Sequence, residues 1–241
     1  MLLVAALAPL VPASATGRFA WVEVPALAVC ATGAAYGWMR HRRLCRADAA
    51  TVTVLATVAA LDRPALGLWT LLGGLCATAL LRPLGITIPW LSWDGRRRRW
   101  VGAAVAVPVG VALAEVNVLL ARASSSSGPA GGAALHGLFD ALRAGLSEEI
   151  GIRLCLLALC VHLLGRLPRT RTERLLTYLV LVVPHAALHH VQAPSQLIVG
   201  TTVMGVAFGL PLAVLLTRFG VLAAVTAHTV MDAVRFVVLG L

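Results

Sequence analysis

Apolar stretches of roughly 17–25 residues follow one another along almost the whole chain. Each can cross a ~30 Å hydrocarbon layer at ~1.5 Å per helical residue. A chain built this way satisfies its backbone in lipid only as a set of helices or as a closed barrel, and runs this long and continuous favour helices. Of the 241 residues 59% are hydrophobic and 12% charged, which leaves no stretch for a soluble domain. The formal net charge is +10 and every basic side chain apart from histidine is arginine. These arginines gather between the apolar runs, at 40–46, 96–99 and 166–174, with Arg218 further on. That distribution orients a membrane protein and argues against a nucleic-acid partner.

If each cluster lies on the cytoplasmic side, the intervening runs form hairpins, and turn residues stand where each hairpin needs one. These are Leu61-Asp62-Arg63-Pro64, the serine- and glycine-rich ASSSSGPAGG at 123–132, and Val191-Gln192-Ala193-Pro194-Ser195. The reading places spans near 19–38, 48–61, 65–82, 101–121, 136–164, 175–190, 197–217 and 220–239. The expected fold is therefore an all-α polytopic bundle of about eight spans enclosing a polar cavity, a multi-pass protein of the cell membrane with the lipid bilayer as its first partner. Trp90, Trp93 and Trp100 bracket one arginine cluster as headgroup-level rings do. The N-terminal MLLVAALAPLVPASATG lacks a basic start and runs straight into another span, so an uncleaved short or interfacial segment is expected. The five cysteines are too scattered for a disulfide framework and read as small apolar residues. Gly200, Gly205 and Gly209, followed by Pro211, allow the seventh span to pack closely or bend.

Ionisable groups within spans are costly, about 2.5–3.5 kcal/mol each on insertion scales, and are retained where they face a cavity or one another. Here they are Glu115, Asp140, Arg143, Glu148, Glu149, Arg153, His162, His185, His189, His190, His228, Asp232 and Arg235. Apart from Glu115 they crowd into the later helices, which suggests scaffold in residues 1–134 and a site in 135–241. Within LSEEIGIRL, Glu149 and Arg153 are four apart and can neutralise each other, which leaves Glu148 as the carboxylate for acid–base work. A purely structural ion-pair cluster is the alternative. PHAALHHVQ sets His185 and His189 on one helical face, with His190 turned away. AHTVMD sets His228 and Asp232 on one face, where they can hydrogen-bond, share a metal or hold a water. Counted from the nearest arginine of each cluster, Glu148, His189 and His228 lie about 27, 22 and 15 Å along their helices, depths that permit one common site.

Taken in order, EEIGIR, HAALH and HTVMD resemble the EExxxR, FxxxH and HxxxN/D motifs of the CPBP family, the CAAX proteases and bacteriocin-processing enzymes. The resemblance spans roughly 136–241 and includes the glycine-bearing helix pair before the last motif. It implies an intramembrane endopeptidase acting on a membrane-associated peptide or protein. Glu148 would be the general base, Glu149 and Arg153 would organise its helix, His189 would bind water or polarise the carbonyl, and His228 with Asp232 would stand at the oxyanion. His185 replaces the usual phenylalanine and adds a further ligand or proton carrier. Asp232 cannot donate to an oxyanion while ionised, so it is protonated, orients His228 or binds metal. A metal-free glutamate mechanism is preferred. Zinc held by Glu148, His189, His228 and Asp232 is the alternative, because HExxH is absent. Outside proteolysis, the same residues would suit a non-catalytic immunity or scaffold protein, or a proton relay in a transporter.

Overall fold

The computed structural model describes residues 32, 33, 35, 46–61, 63–86, 95–123, 134–189, 195 and 197–239. The expected span at 19–38 lies almost wholly outside them, as do the N-terminal segment, Trp90, Trp93, His190 and most of the 123–132 and 191–195 turns. Among the described residues every element is helical and there is no strand. Helix α1 (Arg46–Ala60) turns back into α2 (Pro64–Leu81), which starts on a proline at its first turn, where no intrahelical N–H is needed. Helix α3 (Gly95–Ala123) follows. One long rod then runs as α4 (Ala134–Leu146), a π-helical segment (Ser147–Leu154) and α5 (Cys155–Leu164). Helix α6 (Arg171–Leu188) precedes a second composite rod, α7 (Leu197–Met204), a π-segment (Gly205–Gly209) and α8 (Leu210–Phe219), and the chain continues into α9 (Val221–Leu239).

Among the described residues three stretches are long and apolar enough to cross a membrane, Pro64–Leu84, Trp100–Leu120 and Leu197–Phe219. Leu119, Leu163, Ile198, Val199 and Val206 point outward and exposed, and this is a membrane protein's outer face. Trp100 is 73% exposed at the start of its span, where an interfacial ring belongs. The core is aliphatic, with Leu80, Leu81, Ile150, Leu154, Leu157, Leu212 and Leu216 almost fully enclosed. Cys76 and Cys155 are buried among them, as small apolar residues would be.

The charged residues outside the site work as clamps at helix ends. Arg143, 2% exposed, donates to the Asp140 carboxylate and to the Leu61 carbonyl, which ties α4 to the α1–α2 turn. Arg82 pairs with Asp48 at the other end of the same hairpin. At the arginine-rich turn before α6, Thr170 and Glu173 form a reciprocal capping box, each side chain taking the other's backbone N–H at 3.1 Å. Arg166, joined by the Arg169 and Thr170 N–H groups, holds the Glu173 carboxyl down to about 2.

Helix α2 presses directly on the first π-segment. A Cβ on Gly73 would lie 2.2 Å from the Gly151 carbonyl oxygen and 2.5 Å from its Cα, so only glycine allows this backbone-to-backbone approach. Gly73→Ala is therefore expected to force the two rods apart, at a cost of about 1–3 kcal/mol or more as overpacking. A lowered melting temperature in detergent checks it; an unchanged one means the rods do not meet there.

Candidate active site

The two glutamates of the opening motif sit on the π-segment, where i→i+5 bonding widens the turn; such segments recur at functional sites. The wider turn sends adjacent side chains to different neighbours. Glu149, with no exposed surface, accepts from the Arg153 guanidinium, four residues on and equally buried. Its Oε1 also lies 2.8 Å from His228 Nδ1. An ionised carboxylate only accepts, so Nδ1 carries the proton and His228 turns its Nε2 toward Glu148.

Glu148 is partly open, its side chain 24% exposed, and three imidazoles converge on one of its oxygens. Oε2 lies 3.0 Å from His185 Nε2, 3.6 Å from His228 Nε2 and 3.8 Å from His189 Nε2. His185 lies in the last turn of α6, just past Pro184, which removes one helical bond there, and His189 caps the helix's C-terminal end. Their rings meet edge to face at 5.1 Å. His228 and Asp232 are one turn apart on α9, with Nε2 and Oδ2 3.5 Å apart.

These groups line a cavity of about 150 Å³, polar and roomy enough for water. Glu148, His185, His189, His228 and Asp232 form one wall, and Met204, Phe208 and Leu212 of the second composite rod supply an apolar side. Gly205 and Gly209 let that rod close on Val182 of α6, with 3.0 Å left for any added Cβ. All seven site residues expected from the sequence thus stand in one cluster, Glu149 behind the cavity wall rather than on it.

The cluster differs from the expected arrangement in two respects. His185, expected to be secondary, is the nearer imidazole and the more buried, its side chain 7% exposed against 40% for His189. Asp232 lies against His228, one of the arrangements its four-residue spacing allows. The three donor atoms that gather within 4.8 Å of one another belong to Glu148, His185 and His189. Asn117 lines the cavity from α3, a helix expected to be scaffold, while Glu115 two residues earlier is exposed. A lone amide in an apolar run was its only signal. Arg235 also reaches the cavity, one turn beyond Asp232, although the sequence assigns it no role.

Residues 130–234 match the family model described as type II CAAX prenyl endopeptidase Rce1-like. That stretch is a CAAX-protease family domain. The match takes in every glutamate and imidazole of the cavity, with Asn117 and Arg235 outside it. No curated protein and no solved structure gives a match.

Proposed function

We propose that the CAAX-protease domain is an intramembrane endopeptidase that hydrolyses a peptide bond at or within the bilayer. The observation that carries this reading is the convergence of three imidazole nitrogens on Glu148 Oε2 at 3.0–3.8 Å beside a cavity. Water held there loses a proton to the Glu148 cluster as its oxygen attacks the carbonyl, and the cluster returns a proton to the departing amine. His189, at the open rim, faces the incoming carbonyl. His228, fixed by Glu149 and Arg153 behind it and by Asp232 beside it, meets the developing oxyanion. The proposed topology has about eight crossings, the apolar stretch at 19–38 among them. The substrate is a peptide or protein already anchored in the membrane.

Proteolysis and proton-coupled transport part company in a direct comparison. Detergent-solubilised protein is expected to release defined product peptides from hydrophobic C-terminal substrates without any ion gradient. Gradient-driven flux in proteoliposomes with no product peptide would instead assign the buried acids and imidazoles to a relay.

A further inference from the structure

We propose that Arg235 and Asn117 form a subsite that binds a carboxylate of the substrate, about three residues along the peptide from the bond being cut. The inference rests on reading the cavity as a peptidase site and specifies what selects the peptide. Both residues lie outside the stretch matched by the family model.

Placement is the first support. His228, Asp232 and Arg235 stand at i, i+4 and i+7 on α9, so one helical face brings all three to the cavity. Helix α3 runs beside α9 in the same direction. A Cβ on Gly102 would meet Phe219 and Ala223, and a Cβ on Gly110 would lie 2.6 Å from the Ala227 carbonyl oxygen and 2.8 Å from Val230 Cβ. Seven residues further along each helix, Asn117 comes level with Arg235, and both line the cavity.

Charge is the second support. The two fully buried arginines each have a carboxylate, Glu149 for Arg153 and Asp140 for Arg143. Arg235 has none within ion-pair distance among the described residues: Asp232, three residues earlier, turns Oδ2 to His228 Nε2 at 3.5 Å, and Arg235 Nε is buried without a hydrogen-bond partner. Apolar packing holds the side chain instead. Its guanidinium carbon lies 5.8 Å from the centre of the Phe236 ring, and Phe236 packs on Gly137 of α4. Membrane orientation does not account for it either, because Arg235 is about 25 Å further along the chain's last helix than Arg218, away from the arginine-rich side. A permanent cation kept at a membrane cavity without its own counter-ion is matched by an anion that arrives with the ligand.

Donor chemistry is the third. A guanidinium offers a planar fork of N–H groups that fits a carboxylate through two parallel bonds, and the Asn117 carboxamide adds a neutral donor beside it. Arg235 stands two helical turns from His228, about 10 Å along α9, a span that an extended peptide covers in about three residues at ~3.3 Å each. The group bound there is a peptide carboxylate, from a chain terminus or from an aspartate or glutamate side chain at that spacing.

The test is peptide binding to the full-length Glu148→Gln protein in detergent, read by fluorescence anisotropy, with cleavage by the parent protein measured alongside. Three labelled hydrophobic peptides differ only at the last residue: a free C-terminus, an amidated C-terminus, and a glutamate followed by an amide. At least one carboxylate form should bind about tenfold or more tighter than the neutral amide, and which one does identifies the source of the carboxylate. Arg235→Gln should abolish that preference while leaving the neutral peptide's affinity unchanged, and Arg235→Lys should keep part of it. In the parent background the same loss should show as a raised KM with kcat little altered. Should Arg235→Gln misfold, Arg235→Lys and Asn117→Ala should each narrow the preference severalfold. Equal binding of all three peptides overturns the proposal, as does an equal loss for charged and neutral peptides in folded Arg235→Gln, the result expected if Arg235 only balances the Asp232 charge. Cleavage that ignores the carboxylate would overturn the subsite and leave the peptidase reading standing. Carboxylate-selective binding that depends on Arg235, in a protein that cleaves nothing, would support the subsite and overturn the peptidase reading.

Discussion

Glutamine in place of Glu148 is expected to reduce peptide hydrolysis by roughly 10²–10⁴-fold, the range over which a positioned acid–base group acts. The substitution keeps the shape of the side chain and removes the anionic oxygen on which His185, His189 and His228 converge. Because Glu148 faces the cavity and is partly open, the fold should survive, with melting temperature and elution close to those of the parent. A drop in kcat with little change in KM is the expected signature, since the lost interaction matters while water is being activated. Residual activity within a factor of two of the parent would remove Glu148 from the chemistry.

The second large effect concerns stability. Arg153 and Glu149 are both fully buried and bonded to each other, so Arg153→Met leaves an uncompensated carboxylate in the centre of the bundle. Breaking such a pair from one side costs about 3–5 kcal/mol. The variant should melt far below the parent in detergent or fail to accumulate. Adding Glu149→Gln neutralises the stranded charge and should recover part of the loss, which a double-mutant cycle would read as coupling between the two positions. It should not recover activity, because His228 loses the carboxylate that fixes its Nδ1 proton. If the double variant melts as low as the single one, the pair is not what holds this region together.

Much of the architecture is legible in the residues because lipid imposes simple rules. Runs near 65–82 and 101–121 end at prolines, arginines or small polar residues, and α2 and α3 occupy nearly the same ranges. The pairing of Glu149 with Arg153 follows from four-residue spacing and is present in the structure. What the sequence hides is the change of helical period. A reading that turns 100° per residue cannot foresee that Ser147–Leu154 widens into a π-helix, because no propensity marks it; in the structure Gly73 of another rod packs on Gly151 within that segment. The order of the two histidines is hidden as well, since four-residue spacing puts both on one face and only tertiary packing sets which ring lies nearer to Glu148. Asn117 is hidden because a single amide carries no periodic signal, and only tertiary packing brings α3 to the cavity.

The central claim is that water attacks a peptide carbonyl in the pocket around Glu148, and the most direct measurement is isotope incorporation. Cleavage run in ¹⁸O-labelled water by the purified protein should place one labelled oxygen in the newly formed C-terminal carboxylate of the product, as read by mass spectrometry. Product without the label, or no product from any membrane-anchored peptide under conditions where the protein stays folded, would contradict the account.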